Sequence, residues 1–231
     1  MPSMKPIAHI RTDFPQKFGI PRQSGLVPQL KGRIVFEPEY AREEAVRGLE
    51  NFSHIWLIWS FEDVERLDEN GQPRPWQPMV RPPLLGGNKQ MGVFATRSPF
   101  RPNALGLSSV ALERIELTEA GPILHVCGAD LRDMTPIFDI KPYLPASDSH
   151  PDATGGFTES TPWTQLSVRC DDALAAHIPT HLREALFAVL AEDPRPARQR
   201  TTEGKPYRLS FGGLDVGFTV SEGTVVITDI R

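Results

Sequence analysis

The sequence predicts a mainly β protein: an antiparallel β-barrel in its N-terminal part, followed by a small α+β unit. Three observations carry this. Before residue 165, short apolar runs recur between Pro- and Gly-rich turn signals. Long helical periodicity is almost absent over the same stretch. Beyond it a helical pattern appears and then further strand-like runs. The 231 residues, 39% of them hydrophobic, suffice for one large domain with a small appendage. The expected division is 1–165 and 166–231.

The elements follow in order. Residues 6–10, 33–36, 53–61, 92–95, 107–115, 123–129 and 136–140 read as strands, because their lengths and flanking turns suit strands better than helices. Residues 54–61 are apolar almost throughout, so both faces of that strand are expected to be buried. One early helix is expected over 39–49, with Ala41, Ala45, Val46 and Leu49 at helical spacing. Residues 148–162, rich in Ser, Thr, Gly and Pro, read as a mobile linker. Residues 171–193 read as two helical pieces divided by Pro179. The second has Thr180 as its N-cap and buries Leu182, Leu186, Val189 and Leu190. Asp193-Pro194-Arg195-Pro196 ends it, and strands are expected at 207–211, 216–220 and 224–228.

Composition removes several functions. A net charge of −4 argues against a generic polyanion binder, and two cysteines are too few for a disulfide framework or a structural zinc site. No signal peptide is legible and no run approaches 18 apolar residues, so a soluble cytoplasmic protein without a membrane segment is expected. The G-x-G-x-x-G, P-loop, H-E-x-x-H and G-x-S-x-G patterns are missing. The six histidines are scattered and no metal is expected. His54 and His125 read as core histidines, and His177 and His181 as surface residues.

Against this background one segment stands out. Residues 70–112 hold no Asp or Glu but carry Arg74, Arg81, Lys89, Arg97 and Arg101. At its centre an apolar run ends in Arg97-Ser98-Pro99-Phe100-Arg101-Pro102-Asn103. Guanidinium groups fenced by prolines suit oxyanion recognition. Three other segments are rigid and polar. Phe18 to Gly25 sets Pro21, Arg22 and Gln23 in a turn. Asp130-Leu131-Arg132-Asp133-Met134-Thr135-Pro136 puts two carboxylates at a strand end, as ligand acceptors or as an Asx-type turn. In Asp139-Ile140-Lys141-Pro142-Tyr143, alternation sets Asp139, Lys141 and Tyr143 on one face, as proton-transfer groups or as a surface ion pair.

Together these strings, with Val46 to Trp56 and Gly92 to Gly106, resemble the TsaA-like (YaeB/TrmO) family over about residues 7–160. Asp193-Pro194-Arg195-Pro196-Ala197 is similar to the appendage of its bacterial members. The resemblance implies a homodimeric S-adenosylmethionine-dependent tRNA methyltransferase. The acceptor would be N6 of threonylcarbamoyl-adenosine at position 37, in the anticodon loop of threonine tRNA. It implies cofactor contacts at Pro21, Arg22, Gln23, Glu62, Asp63, Arg97, Leu107, Asp133, Met134, Thr135 and Pro136. Two positions depart from the family pattern. Glu62-Asp63 stands for His-Gln, and Met134 for a glycine, so positive φ at Met134 would mean strain.

The urea-like acceptor nitrogen calls for a base, with Asp139 as first candidate, Tyr143 as second, and Lys141 able to lower the phenol's pKa by its charge. Arg74, Arg81, Lys89, Arg101 and Asn103 are the expected RNA surface, with Phe100 or Trp76 as stacking candidates. Sequence leaves open which of Arg97 and Arg101 holds the cofactor carboxylate and which meets tRNA phosphate or the threonyl carboxylate. The competing readings are a non-catalytic S-adenosylmethionine- or RNA-binding regulatory module, and a nucleotide hydrolase with Asp130 and Asp133 as metal ligands.

Overall fold

A computed structural model describes residues 4–61, 77–160 and 164–231. Of the expected site, Glu62, Asp63 and Arg74 lie outside the described residues, as does Trp76. Six strands close a barrel: β1 (Ala8–Arg11), β2 (Lys31–Phe36), β3 (His54–Ser60), β6 (Leu105–Thr118), β7 (Gly121–Cys127) and β8 (Thr135–Pro142). Their order around the barrel is β1-β2-β7-β6-β3-β8, and every pairing is antiparallel. Closure leaves no free edge. Alternation sends Ile10, Ile34, Ile55, Leu57, Val110, Leu124, Val126 and Ile137 into one interior.

Several expectations needed correction. The strand expected to be buried on both faces has one buried face: Ile55, Leu57 and Trp59 point inward, but His54 is exposed and Trp56 and Ile58 are half-covered. A barrel strand has only one interior, and among the described residues nothing fully covers its outer wall. His54 is therefore not a core histidine; it bonds Ser53 Oγ at 2.9 Å. His125 is half-buried and satisfied, with Nε2 2.7 Å from Glu116 Oε2. The helix expected over 39–49 shrinks to one turn, α1 (Glu43–Val46), because Gly48 takes φ +86 and breaks the winding. Of residues 92–95 only Gly92 is in a strand. β4 (Met79–Val80) and β5 (Met91–Gly92) form a two-stranded ribbon, and Val93–Ala95 then turns as 3-10 helix. Thr96 Oγ1 closes that turn on the Val93 carbonyl at 2.8 Å.

The expected linker is structured at its start. Within α2 (Pro145–Asp148), Asp148 Oδ2 accepts from the Trp56 indole at 2.8 Å and from Leu144 N at 3.0 Å. Those donors, Leu144 foremost, hold the Asp148 carboxyl below the usual carboxylate range.

The C-terminal part is a four-stranded sheet with helices against it. β10 (Tyr207–Phe211), β11 (Leu214–Ser221) and β12 (Thr224–Ile230) are antiparallel, and β9 (Ser167–Arg169) joins β12 in parallel. Asp171 caps α3 (Asp172–Ala175) by accepting from Ala173 N at 2.8 Å. Pro179 divides the helical stretch as expected, but Thr180 is not the cap of α4 (Thr180–Ala191). It is the helix's first residue, Pro179 holds the cap position, and no side chain bonds there. Leu182, Leu186, Val189 and Leu190 are buried as expected, and His177 and His181 are exposed.

This second core also takes in residues far upstream. Phe14, Val27 and Leu30 are buried in it, and Phe18 and Ile20 pack on it. Phe14 meets Phe211 edge-on at 5.1 Å. Each such buried side chain contributes roughly 1.5–3 kcal/mol. The segment between β1 and β2 is therefore a strap fastened to the C-terminal sheet, and it carries the Pro21-Arg22-Gln23 turn.

Candidate active site

Four chain segments meet where β3 ends and β6 and β8 begin. The strap brings Gln23 and Ser24, the acid-free loop brings Arg97, the chain after β7 brings Asp130, and β6 brings Ser108. Arg97 Nη1 donates to Gln23 Oε1. Asp130 Oδ1 accepts from Ser108 Oγ at 2.6 Å, and Ser108 Oγ accepts from Trp59 Nε1 at 3.0 Å. Ser108 sits among the inward positions of β6, where a hydroxyl needs partners. That polar residue in an apolar alternation was the sequence signal for this chain of bonds, and it was missed. Asp130 was expected to accept from a ligand, to close an Asx-type turn or to bind a metal, and its partner here is instead the Ser108 hydroxyl.

Burial pushes the Asp130 carboxyl above the usual carboxylate range, against the opposing effects of Ser108, Arg97 and the Ser24 amide. The native chain therefore binds this proton more tightly than the unfolded one. Stability falls as pH rises through the window from the ordinary value to the raised one, and the cost is complete above it. An Asp130→Asn variant is expected to be more stable than the parent at neutral pH and to lose that advantage in acid. Urea unfolding at about pH 4 and about pH 7.5 checks this; an equal difference at both would show the carboxylate to be solvated.

The outer wall of the barrel holds the second half of the site. Register pairs Ile58 with Leu107 on one side and with Asp139 on the other. Leu107, Ile58 and Asp139 thus form one rung across three strands. One rung further, Lys141 lies opposite Trp56. Lys141 Nζ is 3.0 Å from Asp139 Oδ2, so the two share a face, and the pair is half-exposed. Lys141 directs its charge to Asp139. Tyr143 packs against Trp56 with ring centroids 5.6 Å apart and the planes tilted by 41°. Leu107 is 56% exposed, unusual for leucine at mid-strand and suited to a ligand or partner.

The remaining residues fall into three groups. At the start of β8, Thr135 and Pro136 are buried, and Asp133 Oδ1 is taken by Arg11 Nε at 2.9 Å and Thr12 N at 3.0 Å. Met134 has φ 66 and is 47% exposed, so the strain expected from the missing glycine is present. In the basic loop, Arg81, Lys89 and Asn103 are exposed, whereas Arg101 staples its own loop. Its Nη1 donates to the Thr96 carbonyl at 2.8 Å and its guanidinium lies 5.9 Å from the Phe94 ring centre. In the strap, Pro21 is buried and Arg22 is desolvated beside Asp193 and Glu192. The two carboxylates of the hydrolase reading have different partners: Asp130 accepts from Ser108, and Asp133 from Arg11. Among the described residues no group of three or more His, Cys, Asp or Glu is placed to hold a metal ion.

Comparison with known proteins matches this arrangement to one family. The family model described as the tRNA-methyltransferase O N-terminal domain matches residues 9–149, and the TrmO C-terminal domain matches residues 164–231. The chain belongs to the TrmO family. A tRNA (adenine(37)-N6)-methyltransferase of Escherichia coli is 40% identical over 223 residues, covering 94% of this chain and 92% of that one. The protein of the same name from Eikenella corrodens is 46% identical over 177 residues, or 77% of this chain and 96% of that one. A Pseudomonas aeruginosa relative, 40% identical over 224 residues and covering 93% and 90%, has a name that assigns it to the S-adenosylmethionine-dependent methyltransferases. The crystal structure of TrmO from Pseudomonas aeruginosa superposes with a TM-score of 0.78 at 32% identity, covering 100% of this chain and 98% of that one. The TrmO barrel and its appended sheet are thus both present here.

Proposed function

We propose that this chain is a methyltransferase that uses S-adenosylmethionine to methylate N6 of adenine 37 in tRNA. The observation that carries the reading is the meeting of Gln23, Arg97 and Asp130 beside the Leu107–Ile58–Asp139 rung, next to a basic loop free of carboxylates. The donor set fits the cofactor. Arg97 suits its carboxylate, and Asp130 is an acidic group in a desolvated setting beside which a cationic ligand is favoured. The residues that would hold it are the strap turn Pro21–Gln23, Arg97, Leu107 and the turn from Asp133 to Pro136, with Glu62 and Asp63 kept as candidates.

When bound, S-adenosylmethionine supplies an electrophilic methyl group. The chain supplies alignment, which accounts for much of the rate of an in-line displacement. It also supplies a proton acceptor. We take the substrate to be threonylcarbamoyl-adenosine, whose urea-like nitrogen has a delocalised lone pair and must lose its proton to react. Asp139 is the base, with Tyr143 as the alternative and Lys141 holding Asp139 in place. Threonine tRNA is the proposed substrate and the cytoplasm the proposed location. Among the described residues no helix is long and apolar enough to cross a membrane. Residues 1–165 form the proposed methyltransferase unit and 166–231 the appendage.

A homodimer is part of the proposal. Phe94, Phe100, Leu105 and Leu107 are exposed apolar side chains around the site, and a second copy would cover them. For the RNA, Arg81 and Lys89 are exposed on the basic loop, with Arg74, Arg101 and Asn103 in the same stretch. Replacing Arg81 and Lys89 by alanine is expected to weaken all tRNAs alike. It should also flatten the dependence of log K on log salt by about 0.7 per residue, the value for single-stranded RNA. Filter binding across a salt series reads both.

Incubating the protein with labelled S-adenosylmethionine and threonine tRNA, with and without the threonylcarbamoyl group, tests the function. Label in the modified tRNA alone is the expected result. Cofactor binding without transfer to either tRNA would overturn the reading in favour of a binding module.

A further inference from the structure

The Asp193-Pro194-Arg195-Pro196-Ala197 string is used nowhere in the chemistry above. In the structure it forms a rigid, strained turn after α4. Asp193 is 7% exposed and takes φ 50, a costly conformation for a residue with a side chain. The strain is held by a buried network. Asp193 accepts from Arg195 Nε at 2.8 Å and Nη2 at 3.0 Å, and Arg200 Nε lies 3.5 Å from its Oδ2.

This turn touches both loops of the candidate site. A small cavity has Pro21 and Arg22 on one wall and Glu192, Asp193 and Pro194 on the other. Neighbouring residues of the strap thus face opposite ways: Arg22 toward the appended unit, Gln23 toward Arg97. The strap approaches no less closely at Gly19. It has φ +94, and a Cβ there would lie 2.2 Å from Leu209 Cδ1 on β10. Only glycine permits that contact. On the other side, a Cβ at Gly87 would lie 3.5 Å from Arg198 Nε, so the basic loop rests against the same turn.

We propose that the turn from Glu192 to Arg200 positions both substrate loops, with Glu192 and Asp193 setting the cofactor strap through Arg22 and Arg198 setting the basic loop at Gly87. The inference rests on the reading of residues 19–25 as part of the cofactor site. Burial disfavours the charge on Arg22, and the carboxylates of Asp193 and then Glu192 oppose that effect. Removing one of those charges should let the guanidinium leave the cavity and take the strap with it. Glu192 and Asp193 are positioning residues in this scheme, since they act through Arg22.

Glu192→Gln tests it with little risk to folding, because glutamine keeps an acceptor for Gln165 Nε2, now 2.7 Å from Glu192 Oε1. The expected result is a Kd for S-adenosylmethionine raised about 3- to 10-fold, with kcat at saturation and the thermal midpoint unchanged. Combining it with Arg22→Met should give less than the product of the two single effects. Arg198→Ala should raise the KM for tRNA and leave the cofactor Kd alone. A Glu192→Gln protein that binds the cofactor as tightly as the parent would overturn the proposal, as would single effects that multiply. A parent protein that binds no S-adenosylmethionine at all would instead overturn the cofactor reading beneath it.

Discussion

Asp139→Asn is expected to bind S-adenosylmethionine as the parent does and to lose about 10²- to 10⁴-fold in kcat, the usual contribution of a positioned general base. The substitution keeps the size of the side chain and one acceptor oxygen. It removes the capacity to take a proton. The position suits a base: Asp139 shares a rung with Leu107 and Ile58 on the outer wall, and its carboxylate is fixed by Lys141 Nζ at 3.0 Å and by Ile140 N at 2.9 Å. Folding should be spared, because a half-exposed ion pair contributes only about 0–1 kcal/mol. Lys141→Ala should accordingly be milder than Asp139→Asn. Single-turnover rates at saturating cofactor and tRNA separate chemistry from binding. Parental turnover in Asp139→Asn would remove Asp139 from the role and turn attention to Tyr143, packed on Trp56.

The barrel was legible because period-two alternation and dense turn residues leave few other ways to bury the apolar positions. What the sequence hid is how elements divide between two cores. Phe14, Val27 and Leu30 lie between two barrel strands, yet their burial is in the C-terminal core. Nothing in a local pattern says which of two distant interiors an apolar residue enters. The same limit explains residues 54–61. A run of apolar residues reads as a strand covered on both faces, but a closed barrel covers one, and Trp56 and Ile58 are left half-open where the outer rung of the site forms.

The candidate site was legible as motifs but not as a constellation. Arg97 and Gln23 are 74 residues apart and bond to each other. Asp139 and Lys141 were placed on one face by alternation, and their 3.0 Å contact agrees. Arg101 was grouped with the RNA-facing residues by composition, and it spends its guanidinium on its own loop. Charge is visible in a sequence; the carbonyl that takes it is not.

Stability should depend most on the turn after α4. Asp193→Ala is expected to cost about 3–5 kcal/mol, the range for stranding a buried charge, and to lower the thermal midpoint by roughly 10 °C. Arg195 is only 5% exposed, and its fork is satisfied by both oxygens of Asp193 and by the Thr202 carbonyl at 3.2 Å. With the carboxylate gone, the guanidinium stays desolvated and Arg200 loses the same partner. The charge pair itself need not be strongly stabilising, because desolvation offsets most of its attraction. Removing both partners, as in Asp193→Ala with Arg195→Met, should therefore cost less than removing Asp193 alone. Chemical denaturation of the two variants decides this. If Asp193→Ala costs under about 1 kcal/mol, within the range of an exposed pair, water reaches the turn, and its rigidity has another source. The predicted non-additivity matters for function as well as folding, because the strap that carries Arg22 leans on this turn, and a protein that softens here should lose cofactor affinity before it loses its barrel.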